Sequence, residues 1–235
     1  MQALHFRRLV IIVALPVFCL AVARTAAEAV DQPVTINQMA NDIDRDVVAD
    51  GSTLSTMGGD IHLGRAEGEV TLRTMGGDIR VESAQGPLQA QTMGGDVRIG
   101  SVARDVEIRT QGGEVSIHAA SGAVRADTAG GDMDIALAEA QAPRAVSLRA
   151  LGGDIVLHVP ADFAGTIDAT ISYDRHFDGV PRLIEPFGLP RTETPGWIAG
   201  FGSERKIIHV TGTVGHGSDH ITLSTVNGNI RIVKA

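Results

Sequence analysis

The 235-residue chain carries 28 acidic against 20 basic side chains, a formal net charge of −8 that argues against binding nucleic acid or anionic lipid by charge alone. Its 28 glycines and 3% aromatics exclude an ordinary helical bundle, where interior glycine is costly. A single cysteine, Cys19, excludes a disulfide framework.

In chain order, the first 29 residues stand apart. Met1 to Arg8 holds two arginines and no acid, Leu9 to Ala23 is almost wholly apolar, and Ala27-Glu28-Ala29 offers small residues at the positions a signal peptidase reads. Residues 1–29 are therefore expected to be a secretory signal peptide. The apolar run is shorter than the roughly 20 residues a spanning helix needs. Membrane contact is expected only through an uncleaved form of this segment. The remaining 206 residues hold no cysteine, 17 basic and 27 acidic side chains, and all the glycines.

A repeat begins next. Thr56-Met57-Gly58-Gly59-Asp60 returns as Thr74-Met75-Gly76-Gly77-Asp78 and Thr92-Met93-Gly94-Gly95-Asp96. It decays to Thr110-Gln111-Gly112-Gly113-Glu114, Thr128-Ala129-Gly130-Gly131-Asp132 and Ala150-Leu151-Gly152-Gly153-Asp154. A degenerate copy, Met39-Ala40-Asn41-Asp42-Ile43, precedes these, and Thr225-Val226-Asn227-Gly228-Asn229-Ile230 closes the chain. After each acid come alternating apolar residues: Ile61 and Leu63, Ile79 and Val81, Val97 and Ile99. Nine residues further on are Val70 and Leu72, Leu88 and Ala90, Val106 and Ile108. Alternation with period two means short half-buried strands, two per unit. One unit cannot bury its own apolar face, but stacked units can.

The expected fold is therefore all-β, a single parallel β-solenoid of about seven 18-residue coils in residues 30–235. A hairpin meander is the rival, but it would not demand the same residue type at every eighteenth position. The glycine pairs are expected where the chain turns sharply through positive φ. The acids Asp60, Asp78, Asp96, Glu114, Asp132 and Asp154 are expected to bond nearby backbone N–H groups and fix the turns. Calcium between stacked carboxylates is the sharper alternative for that column, and an internal hydroxyl ladder is the reading for the threonines.

Beyond Pro160 the pattern changes. Phe163, Ile167, Ala169 and Ile171 continue one strand system, and about 173–206 is then an irregular insertion rich in proline, glycine and aromatics. A cover for the last coil explains such a segment, because solenoid ends must be capped. The functional reading makes it a recognition loop, with Tyr173, Phe177, Phe187, Trp197 and Phe201 as candidate contacts for a protein or glycan partner.

These residues resemble a known family. The repeated Gly-Gly-Asp-Ile units are similar to those of bacterial adhesin-like domains of unknown function, as is Gly212-Thr213-Val214-Gly215 followed by Ile221 to Ile230. The similarity covers most of residues 50–235 and is most specific in its C-terminal stretch. It implies an exported or envelope-associated β-solenoid. Asn229 departs from the pattern, standing where aspartate is usual, as does His216-Gly217-Ser218-Asp219.

No catalytic, metal-binding or cofactor-binding residue is assigned. His62, His118 and His158 fall on no single column of adjacent coils, and His209, His216 and His220 lie in loops and strand ends with no fixed metal spacing. Exposed arginines alternate with acids rather than lining one groove, so a polysaccharide-acting β-helix enzyme is the weakest reading. The glycine pairs precede strands, so they are no dinucleotide turns. The expected function is a non-catalytic, adhesin-like interaction module, periplasmic or secreted to the cell surface. The alternative is a periplasmic structural or envelope-stress accessory protein whose partner is another envelope protein.

Overall fold

The computed structural model describes residues 32–139, 143–177, 180–199 and 204–235, so the expected signal peptide lies outside the described residues. The strands begin with β1 (Thr35–Gln38), β2 (Ile43–Val48), β3 (Ser52–Thr56), β4 (Ile61–Ala66), β5 (Val70–Arg73), β6 (Ile79–Ala84) and β7 (Leu88–Gln91). They continue as β8 (Val97–Val102), β9 (Val106–Thr110), β10 (Val115–Ala120), β11 (Val124–Thr128), β12 (Met133–Leu137), β13 (Ala145–Ala150) and β14 (Ile155–Val159). The rest are β15 (Gly165–Asp174), β16 (Leu183–Ile184), β17 (Arg191–Glu193), β18 (Ile198–Ala199), β19 (Glu204–Val214), β20 (Asp219–Val226) and β21 (Ile230–Lys234).

Successive strands alternate between two sheets, so about seven turns of 18 residues wind into a parallel β-solenoid. The meander is thereby excluded for the repeats. Register follows the repeat: Ile61 pairs with Ile79, Ile79 with Val97, Val97 with Val115 and Val115 with Met133. In the facing sheet Leu72 pairs with Ala90, Ala90 with Ile108 and Ile108 with Ala126. Each column points inward and is buried. Large and small side chains alternate along the second column, which lets the facing sheet interdigitate.

The glycine pairs serve a different need from the one expected. Among described glycines only Gly51, Gly188 and Gly215 have positive φ. The second glycine of each pair instead sits against backbone: a Cβ on Gly95 would overlap the carbonyl of Gly77, and one on Gly77 that of Gly59. The first glycine of each pair, such as Gly94, has room for a methyl group. Close approach of stacked turns, not a left-handed turn, makes the second glycine obligatory. Asn227 replaces the first glycine in the closing copy and does adopt positive φ, 54°.

The end of the chain is interlocked. The closing copy, β20 and β21, is not stacked last. Strand β20 lies between β13 and β15, parallel to both, and β21 lies between β14 and β16. Strands β15 and β16 therefore leave one rung vacant beside β13 and β14, and residues 219–235 return to fill it. Above β15 the parallel order ends, because β19 runs antiparallel to it from Gly165↔Val214 to Asp174↔Arg205. Strands β17 and β18 add antiparallel to β19. The segment read as irregular thus contains three short strands, and it caps the stack.

Candidate functional site

Two ladders hold the turns together. In the first, Thr74 Oγ1 accepts from Gly77 N at 3.2 Å and donates to the Gly59 carbonyl one coil back at 3.0 Å. Thr92 does the same with Gly95 and Gly77, at 3.1 and 3.0 Å. Thr225 donates to the Gly153 carbonyl at 2.7 Å, so the inserted coil uses the same device. These threonines are buried, and in the repeats each hydroxyl satisfies one backbone donor and one backbone acceptor, as Thr74 and Thr92 do.

The acids form the second ladder, and they reach between coils. Asp60 Oδ1 accepts from the backbone N–H of Asp78 at 2.8 Å, Asp78 from Asp96 at 2.9 Å, Asp96 from Glu114 at 2.9 Å and Asp132 from Asp154 at 2.8 Å. Arg80 and Arg98 reach back to the acids on their own strands, at 2.8 Å to Asp78 and 2.7 Å to Asp96, offsetting the repulsion of stacked carboxylates. Asn229 ends this column. Its amide nitrogen donates to both oxygens of Asp154 at 3.0 Å, and its side-chain oxygen accepts from Arg182 N at 2.8 Å. An amide can do both at once, whereas an aspartate there could accept from Arg182 N but would offer Asp154 no side-chain donor.

The aromatic residues gather at the capped end. Tyr173 is buried, with its ring 5.9 Å from Trp197 and 6.4 Å from Phe177, both edge-on. Phe187 packs at 5.8 Å on Phe163. Arg175 and Lys206 lie 5.0 and 5.5 Å from the Trp197 ring centroid, so cations from the chain itself already occupy the indole. Phe201 lies outside the described residues. Burial first, and the Glu193 carboxylate second, push the Tyr173 hydroxyl upward. The His176 N–H first, and the Asn227 side chain second, hold the Asp174 carboxyl below its ordinary range.

A second seam locks the inserted coil. Arg144 is buried and donates from Nε to Asp219 Oδ2 at 3.0 Å, and its backbone N–H donates to Oδ1 at 3.0 Å. Its Nη1 also reaches the Ala120 and Ala138 carbonyls. The Arg144 side chain thus ties two successive coils to the first residue of β20.

Between these seams a groove of about 820 Å³ opens on the outer face of the second sheet. Its floor is Ser116, Asp134 and Val156, with Arg231 contributed by the inserted coil, and Phe177, Val180, Arg182 and Ile184 border it. Arg98, Arg182 and Arg231 face Glu114, Asp132, Asp134 and Asp154, so the lining carries charge of both signs. Of the four described aromatic candidates only Phe177 borders this groove; Tyr173, Phe187 and Trp197 pack against the core at the cap. Arg182 and Arg231 went unnoticed in the sequence because nothing local links residue 182 to residue 231. Only the pairing of β16 with β21 brings them together. Among the described residues no three His, Cys, Asp or Glu side chains are placed to hold a metal ion.

A β-solenoid with this repeat defines a class of stacked, turn-locked domains. The Toastrack DUF4097 family profile matches residues 7–176, and the chain belongs to that family, a domain of unknown function. The C-terminal stretch on which the adhesin-like resemblance chiefly rested lies outside the matched residues. No curated protein and no solved structure matches the chain.

Proposed function

We propose that this chain is an exported, non-catalytic interaction module of the bacterial envelope or exterior, which holds a protein or glycan partner in the groove at its capped end. The groove carries the reading. It is concave, large enough for several sugar rings or a short peptide strand, and built on a sheet with aromatic and apolar residues at its border. Its interleaved arginines and carboxylates suit hydroxyl-rich or zwitterionic ligands, which need donors and acceptors together. The charged side chains are drawn into ion pairs along the strands, as Arg98 is with Asp96, and they read as binding groups rather than as a nucleophile with its base.

The test combines location with binding. Fractionation of the host and protease shaving of intact cells are expected to find the protein outside the cytoplasm. Isolated envelope polysaccharide is expected to sediment the native protein and to retain much less of an Arg182→Ser/Arg231→Ser variant of unchanged circular dichroism. A cytoplasmic location overturns the export. Equal retention of the two proteins overturns the groove as a glycan site, and crosslinking from the same two positions then asks whether an envelope protein sits there.

A further inference from the structure

Four of the six methionines occupy one position of the repeat. Met39, Met57, Met75 and Met93 each precede the turn glycines, or their equivalents, and each sits on the rung above the last. The backbone N–H of Met93 donates to the Met75 carbonyl at 3.3 Å, and that of Gly76 to the Met57 carbonyl at 3.2 Å. A Cβ on Gly58 would stand 4.0 Å from the Met39 carbonyl, which carries the column down one further rung. All four side chains are exposed, by 82%, 55%, 49% and 43% in turn. The decline fits side chains lying along the stack and covering one another.

The fold does not require methionine here. The same position holds Gln111, Ala129 and Leu151 in later coils, and the turn is unchanged. Burial does not explain it either, because the thioethers face solvent. By contrast Met133 is fully buried in the core, where methionine serves as packing.

We propose that this thioether column, centred on Met75, is a binding site for Cu(I). Thioether sulfur is a soft, neutral donor that selects Cu(I) over the harder divalent ions. The geometry fits. Rungs of a parallel sheet rise by about 4.8 Å. Two sulfurs on opposite sides of one ion, with metal–sulfur bonds of about 2.3 Å, lie about 4.6 Å apart. Neighbouring rungs therefore match the sulfur spacing of linear, two-coordinate Cu(I) without backbone movement. Binding changes no oxidation state and displaces no proton, because a thioether has none to lose. Unlike a thiol, it is not consumed by disulfide formation in an oxidising compartment.

The experiment uses the full chain with Cys19→Ser, so that no thiol competes, and titrates it anaerobically into the violet Cu(I)–bicinchoninate complex. The native column is expected to withdraw about one Cu(I) per chain, with little change between neutral and mildly acidic pH. The methyl ¹³C resonances of Met57, Met75 and Met93 should shift while that of Met133 does not. Met75→Leu is expected to weaken binding about tenfold or more, and Met57→Leu/Met75→Leu/Met93→Leu to abolish it, with circular dichroism unchanged since all three side chains are exposed. Met133→Leu is expected to bind as the native chain does. Leucine keeps the apolar stripe and removes only the sulfur, so loss of copper separates ligation from a merely apolar role. Failure of the native chain to compete for copper, or copper binding that survives the triple substitution, overturns the proposal.

Discussion

The repeated stack and the closing end are built from the same coil but joined in different ways. From β2 to β12 each strand pairs only with strands of the coils before and after it in the chain, and the same threonine, glycine and acid recur at the turns. At the closing end the coil of residues 219–235 pairs with partners about 75 residues and about 50 residues earlier, and it is fastened by the unrepeated Arg144–Asp219 and Asn229–Asp154 contacts. The comparison teaches where a solenoid can tolerate novelty. Identical turns can propagate with identical bonds, but the last coil must stop the sheet edge, and here the chain does so by reversing direction at β19. The groove lies where the two regimes meet.

The largest contrast is expected within one glycine pair of the repeated region. Gly95→Ala forces a methyl group into the Gly77 carbonyl and should cost about 3 kcal/mol in urea unfolding. Gly94→Ala, whose Cβ would make only ordinary contacts at 3.8 and 3.9 Å, should change stability by no more than about 0.5 kcal/mol. Equal costs at the two positions would mean that close stacking is not what the repeat preserves.

At the closing end, Arg144→Met leaves the Asp219 carboxylate without its buried partner. Removing one member of a buried pair costs about 3–5 kcal/mol, and about 2–3 kcal/mol is expected here because Asp219 keeps some contact with water. Hydrogen exchange should show the loss concentrated in β20 and β21, with β4 to β10 still protected. Uniform loss of protection would mean that the two regions unfold as one.

Thr92→Val and Thr225→Val compare the shared ladder directly. Each replaces a buried hydroxyl with a methyl and leaves a backbone carbonyl unpaired, a cost of about 1–2 kcal/mol in chemical denaturation. Similar costs at both positions would show that the inserted coil is bonded as a true coil.

The smallest effect is expected at Asp174, which joins β15 to the inserted coil through Asn227. Its backbone N–H donates to Asn227 Oδ1 at 3.0 Å, and the Asn227 amide donates to its carboxylate at 3.3 Å. Its depressed pKa means that the ionised form is favoured by folding. The contribution is therefore complete above the ordinary carboxylate range and fades as pH falls through the lowered value. Melting curves of native protein and Asp174→Asn should differ slightly at neutral pH and converge in acid.

The stack was legible in the sequence because its signals are local and repeated: alternating apolar pairs, the 18-residue step and the threonine column all survive in the structure. The role of the glycine pairs was misjudged because positive φ and close backbone approach both select glycine, and composition does not distinguish them. The insertion was not legible. Ile167, Ala169 and Ile171 alternate as Ile221 and Leu223 do, and either set could have paired with Val146 and Leu148. The choice is made by contacts remote in sequence, Asp219 with Arg144 and Asn229 with Asp154. The groove was hidden for the same reason, since Arg182 and Arg231 meet only across that pairing. Four of the five aromatic candidates lie at the capped end, and Tyr173 among them is buried rather than presented.

The central claim is that the last coil is inserted beneath β15, and paired cysteines test it most directly. In a chain carrying Cys19→Ser, Ser147 and Thr222 are register neighbours, and Asp168 is the next rung beyond Thr222. Rungs one step apart lie about 4.8 Å apart, within disulfide reach, and rungs two steps apart do not. The account predicts that Ser147→Cys/Thr222→Cys forms a disulfide on mild oxidation of the folded protein and Ser147→Cys/Asp168→Cys does not. A disulfide in the second pair and none in the first would contradict it and place β15 directly on β13.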